Sequence, residues 1–310
     1  MSWDPRCLPA APGKVFVITG GNAGIGYYTA EQLASTGAKV ILAGRNQTKI
    51  DAALTAIRRQ VPGADLGSIA VDLAELSSVR SAAERINALD RVDAVIANAA
   101  VYGDKQRSST ADGFELHFGT NHLANFALAA RSYPALARTP GSRLVFVSSL
   151  SYQMTSLDLD DAQSERDYKT FRAYGRSKIA LMLFALELDR RLRAAGSPVS
   201  SIAAHPGGGL DVLSPRRPGV TGPLAGGLFM QLMMVPLAQS KAKAAWSQVR
   251  ATLDPELTGG RFLGPRLGLR GRPKLLAPKP QVLDQAAAQR LWTMSEELTG
   301  VEFTLAKPVS

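Results

Sequence analysis

Cysteine is almost absent. The single residue, Cys7, excludes an intramolecular disulfide, and with it a disulfide-built secreted scaffold and a zinc site of several thiolates. Histidine is scarce as well. Three residues, His117, His122 and His205, are too few for a multi-histidine metal centre, so no metal is expected. Aromatic residues make up only 6% of the chain and are not interleaved with the basic ones, which argues against nucleic acid as a partner. No apolar run reaches about 18 residues, so no membrane-crossing helix is expected. The N-terminus lacks a basic segment followed by an apolar one; a signal peptide is not expected, and a cytoplasmic location is. The composition is 45% hydrophobic and 20% charged over 310 residues, that of an ordered globular protein with a sizeable core. The 36 Lys and Arg against 26 Asp and Glu leave a net charge of +10, which suits an anionic ligand or surface.

Apolar, β-branched runs at 14–19, 39–43, 68–71, 94–97, 144–148 and 199–204 alternate with helical patterns at 25–36, 48–60, 77–89, 112–136 and 174–195. Short strands that are nearly continuous in apolar residues are buried on both faces. The rhythm predicts an α/β fold, a doubly wound parallel sheet of the Rossmann kind, in a single domain spanning 1–310. Residues 1–13 form an N-terminal extension. Beyond the sheet, 207–240 reads as an apolar flap and 259–280 as a basic loop. Residues 281–300 read as a C-terminal segment whose helix, 284–298, carries Ala287, Leu291, Met294 and Leu298 on one side.

Thr19-Gly20-Gly21-Asn22-Ala23-Gly24-Ile25-Gly26 joins the first strand to the first helix. Glycines there expose backbone N–H groups at a positive helix terminus, where a pyrophosphate approaches without meeting a Cβ. The last glycine lets the helix pack closely on the sheet. The second strand ends Ala43-Gly44-Arg45-Asn46, with no carboxylate for a ribose 2′-hydroxyl. Arg45 can instead pair with a 2′-phosphate, so the cofactor expected is NADP(H); a solvated surface arginine is the plainer alternative. Asp72 and Asn98 follow the third and fourth strands. They suit the adenosine moiety, and they equally suit a helix cap, a turn or a backbone support.

Tyr174 and Lys178 lie one helical turn apart on one face. An ammonium near a phenol stabilises the phenolate and so lowers the tyrosine pKa, which suits proton exchange with a carbonyl or alcohol oxygen. The strand before that helix ends Val147-Ser148-Ser149, at the carboxyl edge where open α/β sheets bind ligands. Ser149 there can hold a reacting oxygen or cap a helix. Asn121 falls within a helical pattern that it suits poorly. Its amide, or a carbonyl freed beside it, can hold a proton-relaying water, or the residue can be structural.

Together these residues resemble the short-chain dehydrogenase/reductase family over about residues 14–207, in the family's order. The 25-residue gap between Ser149 and Tyr174 is similar to that of the branch containing retinol dehydrogenases, WW-domain oxidoreductases and light-dependent protochlorophyllide reductases. The tail, with 254–260 reading DPELTGG and 295–300 reading SEELTG, looks like actinobacterial members of it. The resemblance implies Tyr174 as acid/base, Lys178 as its modulator and a ribose ligand, Ser149 as oxygen-positioning and Asn121 as water-holding. It further implies cofactor contacts from Gly20, Asn22, Gly24, Ile25, Gly26, Arg45, Asn46, Asp72, Leu73, Asn98, Tyr174, Lys178, Pro206 and Gly207. The family's Asn-Asn-Ala-Gly reads Ala97-Asn98-Ala99-Ala100 here, and its Thr four residues after Gly207 is Asp211.

The implied function is NADP(H)-dependent interconversion of a carbonyl and an alcohol. The flap carries Leu224, Leu228, Phe229, Met230, Leu232, Met233, Met234, Val235 and Leu237, and its methionines make it adaptable. It suits a lipophilic substrate, unless it completes the core or a subunit contact. The basic loop suits cofactor steering, acidic lipid or plain solvation, and solvation is favoured. Oligomeric state is not set by the sequence. The alternative from another class is a catalytically silent NADP(H)-binding sensor or assembly protein on the same fold.

Overall fold

The computed structural model describes residues 3–103, 105–220 and 227–305. Leu224 of the flap lies outside the described residues, as does the side chain of Met230. In chain order the first half comprises β1 (Val15–Thr19), α1 (Gly24–Ala34), β2 (Lys39–Gly44), α2 (Gln47–Gln60), β3 (Leu66–Ala70), α3 (Leu76–Asn87) and β4 (Ala94–Ala97). There follow α4 (Leu116–Phe118), α5 (Ala124–Ala137), β5 (Arg143–Val147), α6 (Thr170–Ala194) and β6 (Ser200–Ala204). The remainder comprises β7 (Gly209–Leu210), α7 (Gly227–Met234), β8 (Gln239–Ser240), α8 (Lys241–Ala244), α9 (Trp246–Leu253), β9 (Phe262–Pro265), β10 (Pro273–Leu275) and α10 (Gln285–Thr299).

Eight strands form one sheet in the order β10-β9-β6-β5-β4-β1-β2-β3, all parallel except β10 at the edge. Side chains alternate across it. Phe16 and Ile18 of β1 enter a core with α1, α2 and α9, whereas Val17 enters the opposite core with α3, α5, α6 and α10. Both faces are covered, which is why the strands read as unbroken apolar runs. The strand order reverses at β1, which pairs with β2 on one side and β4 on the other. Such a switch point opens a crevice at the carboxyl ends of the strands.

Three segments depart from the sequence reading. The helix expected from residue 112 begins at Leu116. Asp112 is a cap, but for a neighbour: its carboxylate accepts the Leu76 N–H at the start of α3, at 2.9 Å. The stretch read as a basic loop contains β9 and β10, an antiparallel hairpin that extends the sheet beyond β6. On α10 the buried stripe is Ala288, Leu291, Trp292 and Ser295, one position round from the stripe expected; Ala287, Met294 and Leu298 flank it, half-buried. The arginine-facing Trp292 ring packs edge-on or tilted against Phe126, Phe184 and Phe303, and this aromatic packing sets the helix's rotation.

Candidate active site

The β1–α1 turn is built for a close approach. Gly20 and Gly24 have φ of +66° and +57°, the left-handed region that favours glycine. A Cβ on Gly26 would lie 2.4 Å from both the Gly20 carbonyl oxygen and Asn98 Nδ2. Helix α1 starts at Gly24 with no side-chain cap and no acid in its first turn, so its N–H groups are left for a ligand.

A cleft of about 340 Å³ opens beside this turn. Gly20, Asn22, Arg45, Asn46, Asp72 and Leu73 line it, together with Thr19, Ala99, Val101 and Thr120. Lys49, which the sequence reading passed over, lines it too. It sits one turn beyond Arg45 because Asn46 caps α2, accepting the Lys49 N–H at 2.9 Å. The spacing of Arg45, Asn46 and Lys49 was the available signal. Arg45 also lies 3.7 Å from Asp72, so an anion bound there would share the guanidinium with a carboxylate. The fit to a dinucleotide is good: a glycine cradle that a Cβ would fill, an uncapped helix end and a basic pocket at the end of β2.

Asn98 does not line this cleft. Its amide donates to the Thr19 carbonyl at 2.9 Å, and its oxygen accepts from Gln248 of α9 at 3.1 Å. Thr19 Oγ1 in turn accepts the Asn98 and Ala99 N–H groups at 3.0 Å. Of the two roles open to Asn98, backbone support is the one its contacts fill. Gln248 had no sequence signal, because α9 lies 150 residues further along the chain.

Ser149 lies beside the Tyr174 phenol and acts to lower its pKa. Ser149 also caps a short turn at Leu150–Gln153, which is the capping role open to it. Lys178 is almost fully buried, donates to the Val147 carbonyl at 3.0 Å and lies 5.7 Å from the Tyr174 ring centre. Burial pushes its ammonium down from 10.5 to about 7. The expected lowering of the Tyr174 pKa is overturned. Desolvation of the phenolate raises it above 10, outweighing the effect of Ser149, with Tyr102 adding to the rise.

Asn121 sits where the helix widens into a π turn, Gly119–Leu123, between α4 and α5. Its amide is engaged: Oδ1 accepts the Val101 N–H at 2.8 Å, and Nδ2 donates to the Val101 carbonyl and to Ser177 Oγ at 3.1 and 3.0 Å. Both amide hydrogens are therefore used, and the oxygen has one donor. The Asn121 backbone carbonyl accepts from the Asn125 side chain at 3.0 Å. One turn earlier, Glu115 and His117 are both buried, 2.7 Å apart, and His117 Nε2 accepts the Gly103 N–H at 2.8 Å. Asn121 and His117 thus pin the chain on either side of Tyr102. The Tyr102 ring is 63% exposed and meets Tyr174 edge-on at 5.2 Å between centres.

Pro206 and Gly207 lie away from the cleft wall. The Pro206 carbonyl accepts from Gln239, and a Cβ on Gly207 would lie 2.5 Å from the Leu269 carbonyl oxygen. Ile25 packs toward Gly209. Asp211 is ion-paired with Lys241 and accepts from Gln231 at 3.3 Å, which makes it an anchor for α7.

A glycine-cradled cleft at the switch point of a parallel sheet, with a Ser–Tyr–Lys group at its carboxyl edge, defines a dinucleotide-dependent oxidoreductase. The family model described as short chain dehydrogenase matches residues 14–210. Polyprenol dehydrogenase of Mus musculus is 35% identical over 302 residues, covering 96% of this chain and 87% of that protein. Retinol dehydrogenase 13 of Homo sapiens is 36% identical over 295 residues, 94% of this chain and 86% of that protein. The crystal structure of an uncharacterised protein from Mycobacterium Paratuberculosis superposes with a TM-score of 0.79 at 33% identity, covering 98% of this chain and all of that one. The chain belongs to the short-chain dehydrogenase/reductase family, in the retinol dehydrogenase-like branch. It is an oxidoreductase with a nicotinamide cofactor and the family's carbonyl–alcohol chemistry.

Proposed function

We propose that the protein is an NADP(H)-dependent oxidoreductase acting on a lipophilic carbonyl or alcohol, with Tyr174 as the proton donor and acceptor. The observation that carries this reading is the Tyr174 phenol, beside Ser149 at the carboxyl end of β5 and with the Lys178 ammonium 5.7 Å from its ring centre. A nicotinamide bound there supplies or removes the hydride.

The chain's own part is positional and electrostatic. Ser149 holds the substrate oxygen against the phenol. Tyr174, a phenol and so protonated at neutral pH, gives its proton to that oxygen as negative charge develops. Lys178, with an ammonium at about 7, replaces the proton and has donors for ribose hydroxyls. The Asn121 carbonyl holds a water on the proton path to Lys178.

Arg45, Asn46 and Lys49 support the choice of NADP(H), because two cations and a donor at the end of β2 match a 2′-phosphate. The lipophilic substrate is supported by the named activities of the relatives, on polyprenol and retinol. Cofactor consumption across a panel of lipophilic and small polar aldehydes and ketones, with NADPH and NADH side by side, tests both. Turnover of lipophilic members with NADPH is expected. Turnover of small polar carbonyls alone, or equal use of NADH, overturns the corresponding part. NADPH binding with no turnover of any carbonyl or alcohol gives the silent sensor instead.

A further inference from the structure

Positive charge is concentrated in one part of the chain. Residues 212–283 carry eleven Lys and Arg against two acids, Asp254 and Glu256; Arg217, Lys241, Arg250 and Arg272 are ion-paired, with Glu31, Asp211, Asp254 and Asp4. Within the same stretch, large apolar side chains face solvent. Leu228, Phe229, Leu232 and Met233 of α7, and Leu237 just beyond it, are each more than half exposed, Phe229 to 79%. The opposite side of α7 is fixed inward: Gln231 is buried, accepts the Val212 N–H at 2.9 Å and reaches Asp211. The helix is therefore anchored with its apolar face outward.

The second half of the surface is the turn between β9 and β10. It presents exposed Arg266, Leu267 and Arg270, with Arg272 and Lys274 alongside. Among the described residues neither Arg266 nor Arg270 has a carboxylate partner. Because β9 runs parallel to β6, this turn lies at the carboxyl edge of the sheet, the edge onto which the cleft and Tyr174 open. The turn is joined to the end of α7: Gly271 N–H donates to Gln239 Oε1 at 3.0 Å, and Gly208 N–H donates to the Leu269 carbonyl at 2.8 Å.

Exposed apolar side chains beside arginines without carboxylate partners, Arg266 and Arg270, match a bilayer carrying anionic headgroups. A nucleic-acid surface would need stacking aromatics, and Phe229 is the only exposed one on α7 or the turn. We propose that α7 and the β9–β10 turn together form a docking face for an anionic lipid surface. The apolar side chains enter the headgroup boundary and Arg266, Arg270 and Lys274 lie among the phosphates. This does not depend on which carbonyl is the substrate.

Co-sedimentation of the full chain with vesicles tests it. The vesicles are phosphatidylcholine alone, or phosphatidylcholine with about one-third phosphatidylglycerol. Partitioning to the anionic vesicles at least about tenfold stronger than to the neutral ones, and weakening as salt is raised, is expected. The pairs R266E/R270E and F229S/M233S should each cut it about tenfold, with thermal melting and solution size unchanged. Failure to sediment, equal partition to both vesicles, or wild-type binding by either pair overturns the proposal. Retention by F229S/M233S alone marks a general polyanion site. Conversion of a dimer to a monomer by that pair marks a contact between two copies. Either result also overturns it. The vesicle preference and salt dependence of the wild-type chain need no variant to fold.

Discussion

The residues proposed to carry the chemistry differ in how they reach it. The grouping of Tyr174, Lys178 and Ser149 was legible because a one-turn spacing and a strand end place them without tertiary detail. Their electrostatics were not, because burial rather than the neighbouring ammonium sets the phenol. Arg45 acts at the far end of the cleft. Replacing it with Asp, beside Asp72, puts two carboxylates where a 2′-phosphate would sit. The kcat/KM ratio for NADPH over NADH should fall about 10- to 100-fold, with Lys49→Ala giving a smaller fall in the same direction. An unchanged ratio removes the NADP(H) assignment. Tyr102 carries no motif, yet the chain is pinned on both sides of it and its ring meets Tyr174. Tyr102→Ala should change KM and the ranking of bulky over small substrates severalfold while leaving NADPH affinity within about twofold, as steady-state kinetics and fluorescence titration would show.

Elements were read from periodicity, and periodicity reports burial rather than partners. Alternation of strands and helices located the doubly wound sheet because each βα unit is local. The β9–β10 hairpin was missed because its Gly, Pro and Arg content looks like a loop; its strands are short and gain their order from β6. Asp112 misled for a related reason, since it caps α3 rather than the helix that follows it in sequence. The β1–α1 turn is where an element and the site coincide. A methyl group on Gly26 collides with backbone at 2.4 Å, and backbone cannot rotate away as a side chain can. Gly26→Ala should lower stability by about 1–3 kcal/mol in urea denaturation and weaken NADPH binding together with it. Retention of both would mean that the turn is looser than drawn.

Across the whole molecule, three buried cations-in-waiting give folding a pH dependence of one sign. Burial holds His122 and His205 at about 3 and about 4, against 6.5 when exposed, and Lys178 at about 7 against 10.5. In each case the unfolded chain binds the proton more readily, so stability rises with pH across each window. The histidine contribution is complete above 6.5 and is lost progressively as pH falls toward 4. The lysine contribution grows from about 7 to 10.5. Urea midpoints should climb through both windows, and Lys178→Met should flatten the upper one only. A flat profile between 4 and 6.5 would contradict the burial of the two imidazoles.

Charge is also distributed at this scale, with the basic, apolar docking face and the cleft at the same edge of the sheet. That edge has chemical meaning only if the Tyr174 hydroxyl exchanges a proton with substrate. Tyr174→Phe removes one oxygen from a ring held by its neighbours and leaves the dinucleotide cleft intact. Its single-turnover rate with saturating NADPH and the best lipophilic carbonyl should fall by at least about a thousandfold, with NADPH affinity unchanged in a parallel fluorescence titration. A variant that turns over within about tenfold of the wild type, while still binding NADPH, would show that the proton comes from elsewhere.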